Sequence, residues 1–291
     1  MKVIPGVLLR RDPSGAGAPV VYDIPRSGTW YPCEFIAAAA FTDLHQSVSM
    51  HVQDLYGDVV DSGAGWLYAT FPNTYIDANR HEADIDPDLL DAPWPGTLET
   101  TGKSRLGIGL IHSKCGKRGV PVYDGKLPVR DVQHRLDRYY WPYHNELSGM
   151  LAERKKQFGI AYHISCHSMA SVGGPSTLDR GKPRSDFDIG DRHGASCDPA
   201  LSELVISTLS SFGYRVTHNF HYAGAESVRK HAQPAQGVHS LQIEIKRGLY
   251  MNEDTFEPTD NFPAVRKHLG ELARVVSRFA LDNAPIKNTQ S

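Results

Sequence analysis

At 291 residues, with 40% hydrophobic and 22% charged residues, the chain has globular composition and enough length to bury a large core. A formal net charge of −2 argues against nucleic acid or an anionic membrane as partner. No apolar run approaches the roughly 18 residues of a membrane span.

The first core strand is expected at Pro19–Ile24, closed by Pro25-Arg26-Ser27-Gly28. Helical stretches are predicted over Cys33–Ala40 and Ser47–Ser62. Strands follow at Trp66–Phe71 and Tyr75–Ala78, separated by Pro72-Asn73. Residues 80–104, rich in Asp, Pro and Gly without a clear period, read as a long functional or lid-like loop. Leu106–Ile111 reads as a short strand. Pro128–Phe158 carries the longest helical period, with Val132, Leu136, Tyr140, Tyr143, Leu147 and Leu151 on one face. Pro142 inside it predicts a kink or two helices.

Gly159 closes that helix and feeds the apolar run Ala161–Ser168, expected to be a buried strand. Gly173–Arg192 reads as a polar loop. Asp198-Pro199 gives an N-cap and a proline at the first helical position, and the helix carries Leu201, Leu204, Val205 and Leu209 inward before Gly213. Arg215–His218 and Ser240–Ile245 read as strands, Phe262–Leu281 as the closing helix, and the polar tail beyond about residue 283 as disordered. Alternating strands and helices predict an α/β fold, a mixed and mostly parallel sheet flanked by helices, as a single catalytic domain over residues 1–291. The four cysteines (Cys33, Cys115, Cys166, Cys197) are scattered and read as free thiols. Met1–Gly6 breaks too soon for a secretory signal. These features together predict a cytoplasmic enzyme.

Fourteen histidines point weakly to metal or proton chemistry. His167, at the end of a buried strand, is a candidate ligand or a structural residue. Glu244 lies in Leu241-Gln242-Ile243-Glu244-Ile245, and a carboxylate in so apolar a run must leave the core, pair with a cation such as Lys246 or Arg247, or have its pKa raised. Asn79-Arg80 offers an amide and a guanidinium fork suited to gripping a carboxylate, or else forms a turn with an exposed arginine. His51 and Asp54 share a helical face, as a metal shell or as a surface pair. Cys166 points away from His167 and reads as a small core residue.

Pro25-Arg26-Ser27-Gly28, Ile76-Asp77-Ala78-Asn79-Arg80, Pro142-Tyr143-His144, Cys166-His167-Ser168, Gly194–Pro199, and Gln242-Ile243-Glu244 with Leu249-Tyr250-Met251 follow one another in this order. So ordered, they resemble the N-formylglutamate amidohydrolase family over about residues 19–280. The resemblance implies a fold similar to zinc carboxypeptidases and aspartoacylases. It also implies hydrolysis of the N-formyl amide of an acidic amino acid by metal-activated water. In that frame Glu244 is the general base, Asn79, Arg80 and Arg229 hold substrate carboxylates, and His167 and His51 are metal ligands for zinc.

The chain departs from the family at the metal. The family carries Pro-His-Ser-Gly or Pro-His-Ala-Gly where Pro25-Arg26-Ser27-Gly28 stands, an aspartate in an Asp-Trp-His-like motif where Ser49-Met50-His51 aligns, and an aspartate where Ser165 stands. Arg26 has no lone pair to ligate with and repels a dication. Three readings stay open: a metal site rebuilt from His45, His51 or His163; Arg26 as a fixed positive charge on an oxyanion, and so a catalytic residue; or a protein that binds without hydrolysing.

Overall fold

The computed structural model describes residues 1–15, 17–174, 177 and 179–285. In chain order its strands are β1 (Lys2–Ile4), β2 (Leu8–Arg11), β3 (Val20–Ile24), β4 (Gly65–Ala69), β5 (Lys114–Cys115), β6 (Val120–Pro121), β7 (Ala161–Met169), β8 (Phe187–Gly190), β9 (Val216–His218) and β10 (Val238–Lys246). Its helices are α1 (Phe41–Gln46), α2 (Val52–Leu55), α3 (Gly102–Arg105), α4 (Val129–Arg135), α5 (Trp141–Phe158), α6 (Pro199–Ser211), α7 (Glu226–His231) and α8 (Phe262–Asp282).

Eight strands form one sheet in the order β1-β2-β4-β3-β7-β10-β8-β9, and β5 and β6 form a separate hairpin. The centre is parallel: β4 with β3, β3 with β7, and β7 with β10. Antiparallel pairs join β2 to β4 and β10 to β8, so the sheet is mixed, as the alternation of elements predicts.

Successive strand residues face opposite sides of a sheet, and β7 divides accordingly. Tyr162, Ile164 and Cys166 pack with Leu241, Ile243 and Ile245 of β10 and with residues of α6 and α8 in one hydrophobic layer. The opposite face packs α4 and α5 through Val132, Tyr143, Leu147 and Met150. That face also receives His163, Ser165 and His167 of β7. In register beside them stand Ser240, Gln242 and Glu244 of β10, and Asp23 of β3 pairs with Ser165. A polar row therefore runs across three fully paired strands, where every polar atom needs a partner.

Several sequence-based expectations are corrected. Cys33–Ala40 is turn and bend, and the helix begins only at Phe41. Tyr75–Ala78 and Leu106–Ile111 are turns; the Leu110 carbonyl accepts from Asp77 N–H, so the two segments hold each other without strand pairing. Ser47–Ser62 resolves into α2 and a 3-10 turn, Val59–Ser62. The loop over residues 80–104 is tied down, since Asp84 accepts from the backbone and hydroxyl of Thr101. The polar loop after Gly173 contains β8, and β1, β2 and α7 carry too few apolar residues for a periodic signal. The long helical pattern is α4, a π-helical stretch Leu136–Tyr140, and α5. The wider turn accommodates the ring and missing N–H of Pro142. Gly159, at φ +80, ends α5, and Asp198 caps α6 by accepting from Ala200 N–H. The four cysteines are free. The expected tail lies almost wholly outside the described residues.

Gly28 passes directly against β4's exit: a Cβ there would stand 2.1 Å from the Phe71 carbonyl oxygen. Gly28→Ala is expected to destabilise the fold by about 1–3 kcal/mol through forced backbone displacement, read as a lower Tm in thermal unfolding.

Candidate active site

The site is built from the carboxyl ends of β3, β7 and β10, where a parallel sheet presents its loops. Its foundation is Asp23, fully buried. Its oxygens accept from the Tyr143 hydroxyl of α5, from Ser227 Oγ at 2.6 Å, from His163 Nε2 at 3.2 Å and from Ser165 Oγ at 3.2 Å. Burial pushes the carboxyl up, but the His163, Ser227 and Tyr143 contacts outweigh it and hold Asp23 well below the usual carboxylate range. His163 is bonded at both ring nitrogens, the second to Ser240 Oγ at 2.9 Å.

His167 stands four residues on, 1% exposed. Its Nε2 meets Asn79 Nδ2 at 3.2 Å and Ser165 Oγ at 2.9 Å, while Nδ1 has no hydrogen-bond partner among the described residues. Burial, then the charge of Arg26, lowers its pKa to about 3, so the ring is neutral throughout the physiological range. Asn79 is itself fixed, because Oδ1 accepts from Ser227 N–H at 2.8 Å. Both ends of that amide are thus engaged within the protein.

Arg26 comes from the turn after β3. Its Nη2 lies 3.3 Å from Asp77 Oδ2, and its Nε is buried without a partner among the described residues. Asp77 also accepts from Asn79 N–H and from His112 Nε2. Burial raises its carboxyl, but Arg26 and Arg80 prevail and keep it well below its ordinary range. Arg80 is buried, donating from Nε to the Ile108 carbonyl and from Nη1 to that of Asn79.

Glu244 is the register neighbour of His167 on one side and of Asp188 on the other. Its Oε1 accepts from Gln242 Nε2 at 3.0 Å, and among the described residues Oε2 takes no hydrogen bond. Burial raises its pKa to about 7 against the pull of Arg26, with Asp188 adding to the rise. The alternative of a salt bridge is settled: Lys246 pairs with Asp186, and Arg247 bonds Ser168 Oγ and the Gln46 carbonyl. Lys103 also feels this cluster, its pKa lowered by burial and by Arg80 and Arg26.

The remaining expected site residues lie apart from these contacts. His51, at φ 65 ahead of α2, bonds the Phe256 carbonyl through Nε2 and sets Nδ1 3.8 Å from Asp54. Arg229, half-exposed on α7, grips Glu226 with two hydrogen bonds. His45 bonds the Tyr31 hydroxyl. Asp23 was open to the same reasoning as Glu244, being a carboxylate inside the apolar run Val20–Ile24. His112 and Lys103 gave no comparable signal, since only the folded turns bring them in.

The profile described as FGase, N-formylglutamate amidohydrolase, matches residues 18–251. The chain belongs to that family. It is 31% identical over 249 residues to an N-formylglutamate deformylase of Pseudomonas aeruginosa, a match spanning 84% of this chain and 83% of the relative. A Pseudomonas putida enzyme of the same name is 30% identical over 79% of this chain and 78% of its own length. The crystal structure of N-formylglutamate amidohydrolase from Ralstonia eutropha JMP134 superposes with a TM-score of 0.88 at 38% identity, covering 94% of this chain and 98% of that one.

The family resemblance implies zinc, and the residues around His167 do not fit it. Among the described residues, the one group of three metal-capable side chains whose ligand atoms all fall within 4.8 Å is His81, Glu82 and Glu226, away from His167. There Lys230 Nζ already sits 2.7 Å from Glu82 and 3.5 Å from Glu226. Near His167 the position expected of a ligand holds the Arg26 cation, Ser49 donates its backbone N–H to the Arg26 carbonyl, and both nitrogens of His163 are taken. A zinc shell of three or four N, S or O donors cannot be assembled from these side chains.

Asp23→Asn would present an amide N–H to a ring of four donors. A loss of about 1–3 kcal/mol is expected, measured as a shifted denaturant midpoint with an unchanged slope.

Proposed function

We propose that this family member hydrolyses the N-formyl or a related amide of a small carboxylate-bearing substrate such as N-formylglutamate, within a single catalytic domain. The carrying observation is Glu244: a buried carboxylate whose Oε2 takes no hydrogen bond among the described residues, its pKa raised to about 7 and a guanidinium close enough to pull on it. A general base works best when its pKa lies near the working pH.

In this reading Glu244 takes a proton from water as the water oxygen bonds to the acyl carbon. The carbonyl π pair moves onto oxygen, where Arg26 meets the developing charge. Collapse of the tetrahedral species breaks the C–N bond, and Glu244 returns the proton to the departing nitrogen, giving formate and the free amine. No step is routed through zinc. Arg80, with Nη2 unbonded among the described residues, is the nearer candidate for a substrate carboxylate, whereas Arg229 must first release Glu226.

Formate release from N-formylglutamate tests the reading, and Glu244→Gln is expected to lower kcat by about a hundredfold or more while sparing substrate binding. Absence of turnover across N-formyl, N-acetyl and N-carbamoyl acidic amino acids sinks it.

The pH dependence has a definite sign. Activity should rise as pH passes through about 7 and Glu244 ionises. Stability runs the other way. A carboxyl raised from 4.5 to about 7 favours the folded state below pH 4.5, and that contribution is lost as pH climbs through 7. Glu244→Gln should therefore be more stable than the parent at pH 8, by on the order of 3 kcal/mol at most, read as a higher Tm. Removing the opposing charge with Arg26→Met should move the activity limb to higher pH.

A further inference from the structure

Two buried N–H groups of this site have no acceptor among the described residues. One is Arg26 Nε–H. The other follows from how Asn79 is held. Ser227 N–H can only donate, so the Asn79 atom it meets at 2.8 Å is the carbonyl oxygen, and the atom facing His167 is the amide nitrogen. An amide N–H pointing at His167 Nε2 requires a lone pair there. Ser165 Oγ suits either state, because a hydroxyl donates or accepts. Asn79 suits only one. The neutral ring therefore carries its proton on Nδ1, and Nδ1 is the nitrogen without a partner. Were Nδ1 to ligate a metal, Nε2–H would have to face the Asn79 N–H at 3.2 Å, donor against donor.

An unmet buried donor destabilises the fold, since it has lost water and gained no acceptor. Two in one cluster, linked through Asp77 and Asn79, are the complement of an oxygen that carries charge only during reaction. We propose that His167 Nδ1–H and Arg26 together form a metal-free oxyanion site beside Glu244, with Asn79 as the positioning residue that fixes the histidine tautomer. This rests on the hydrolytic reading for its chemistry, but the tautomer and the absence of a metal requirement stand or fall independently of it.

The first experiment needs no variant. The full-length protein, labelled with 15N at histidine and saturated with zinc before dialysis, is examined by long-range 1H–15N correlation. The expected result is an Nδ1–H tautomer at His167, no stoichiometric zinc, and a Tm unmoved by chelator. Formate, the probe for the empty donors, should shift the Nδ1 resonance. An Nε2–H tautomer, or stoichiometric zinc lost on His167→Ala, overturns the proposal. The second experiment is Asn79→Asp, which turns the donor at Nε2 into an acceptor while keeping an oxygen for Ser227 N–H. It should switch the tautomer to Nε2–H and lower kcat about a hundredfold with a smaller change in KM. A variant that keeps the parental tautomer and rate also overturns it. If the spectra agree but no acyl amide is turned over, the hydrolytic reading fails and the donor pair remains as an anion site.

Discussion

The buried carboxylate of Asp23 is the contact on which the site depends. Isolated in the core it would be costly; here four donors from β7, α5 and α7 converge on it. Three of the donors, His163, Ser165 and Ser227, also make a second contact. Ser227, held by its hydroxyl, offers its backbone N–H to Asn79; Asn79 then orients toward His167, and the Asp77 carboxylate holds the Asn79 backbone while it meets Arg26. One buried charge thus fixes a relay of hydrogen bonds from the sheet centre to the reacting end of β7. Networks of this kind specify geometry because no member can rotate without stranding another.

Electrostatics at the end of the relay divides labour between two titratable neighbours. Burial acts on both Glu244 and His167, favouring the neutral form of each. Arg26 acts on both as well, but with opposite sense: it assists ionisation of the carboxyl and opposes protonation of the imidazole. Glu244 is left able to exchange a proton near neutrality, and His167 is left unable to. A base and a neutral donor on adjacent strands are what acyl transfer needs when the positive charge is a guanidinium.

Much of this was legible in the sequence where one element dictates the outcome. The apolar run into His167, the Asp198-Pro199 start of α6 and the Gly159 stop are local signals, and each forms as read. The opposed faces of Cys166 and His167 follow from strand alternation alone. Less legible were segments whose conformation is set by distant partners. Tyr75–Ala78 and Leu106–Ile111 look like strands by composition, but they satisfy their backbones on each other and on Arg80, leaving the sheet to β2. The contacts of Asn79 escape the sequence for a related reason. Sequence shows an amide beside an arginine, and only the fold reveals that both amide ends are spent on Ser227 and His167.

The substitution at residue 26 is better understood as a change in what the neighbours must be than as a lost ligand. A metal-binding histidine works best when its second nitrogen donates to a carboxylate or carbonyl. His167 has instead a serine hydroxyl and an amide N–H at that nitrogen, which favours the opposite tautomer. A guanidinium cannot lose its charge or leave, so it repels a dication at every pH and adds to burial in keeping the imidazole neutral. Arg26, Ser165 and the oriented Asn79 are therefore mutually consistent. Restoring a histidine at residue 26 alone would leave His167 presenting a proton to the incoming metal, and the donor pattern around Nε2 would have to be reversed with it.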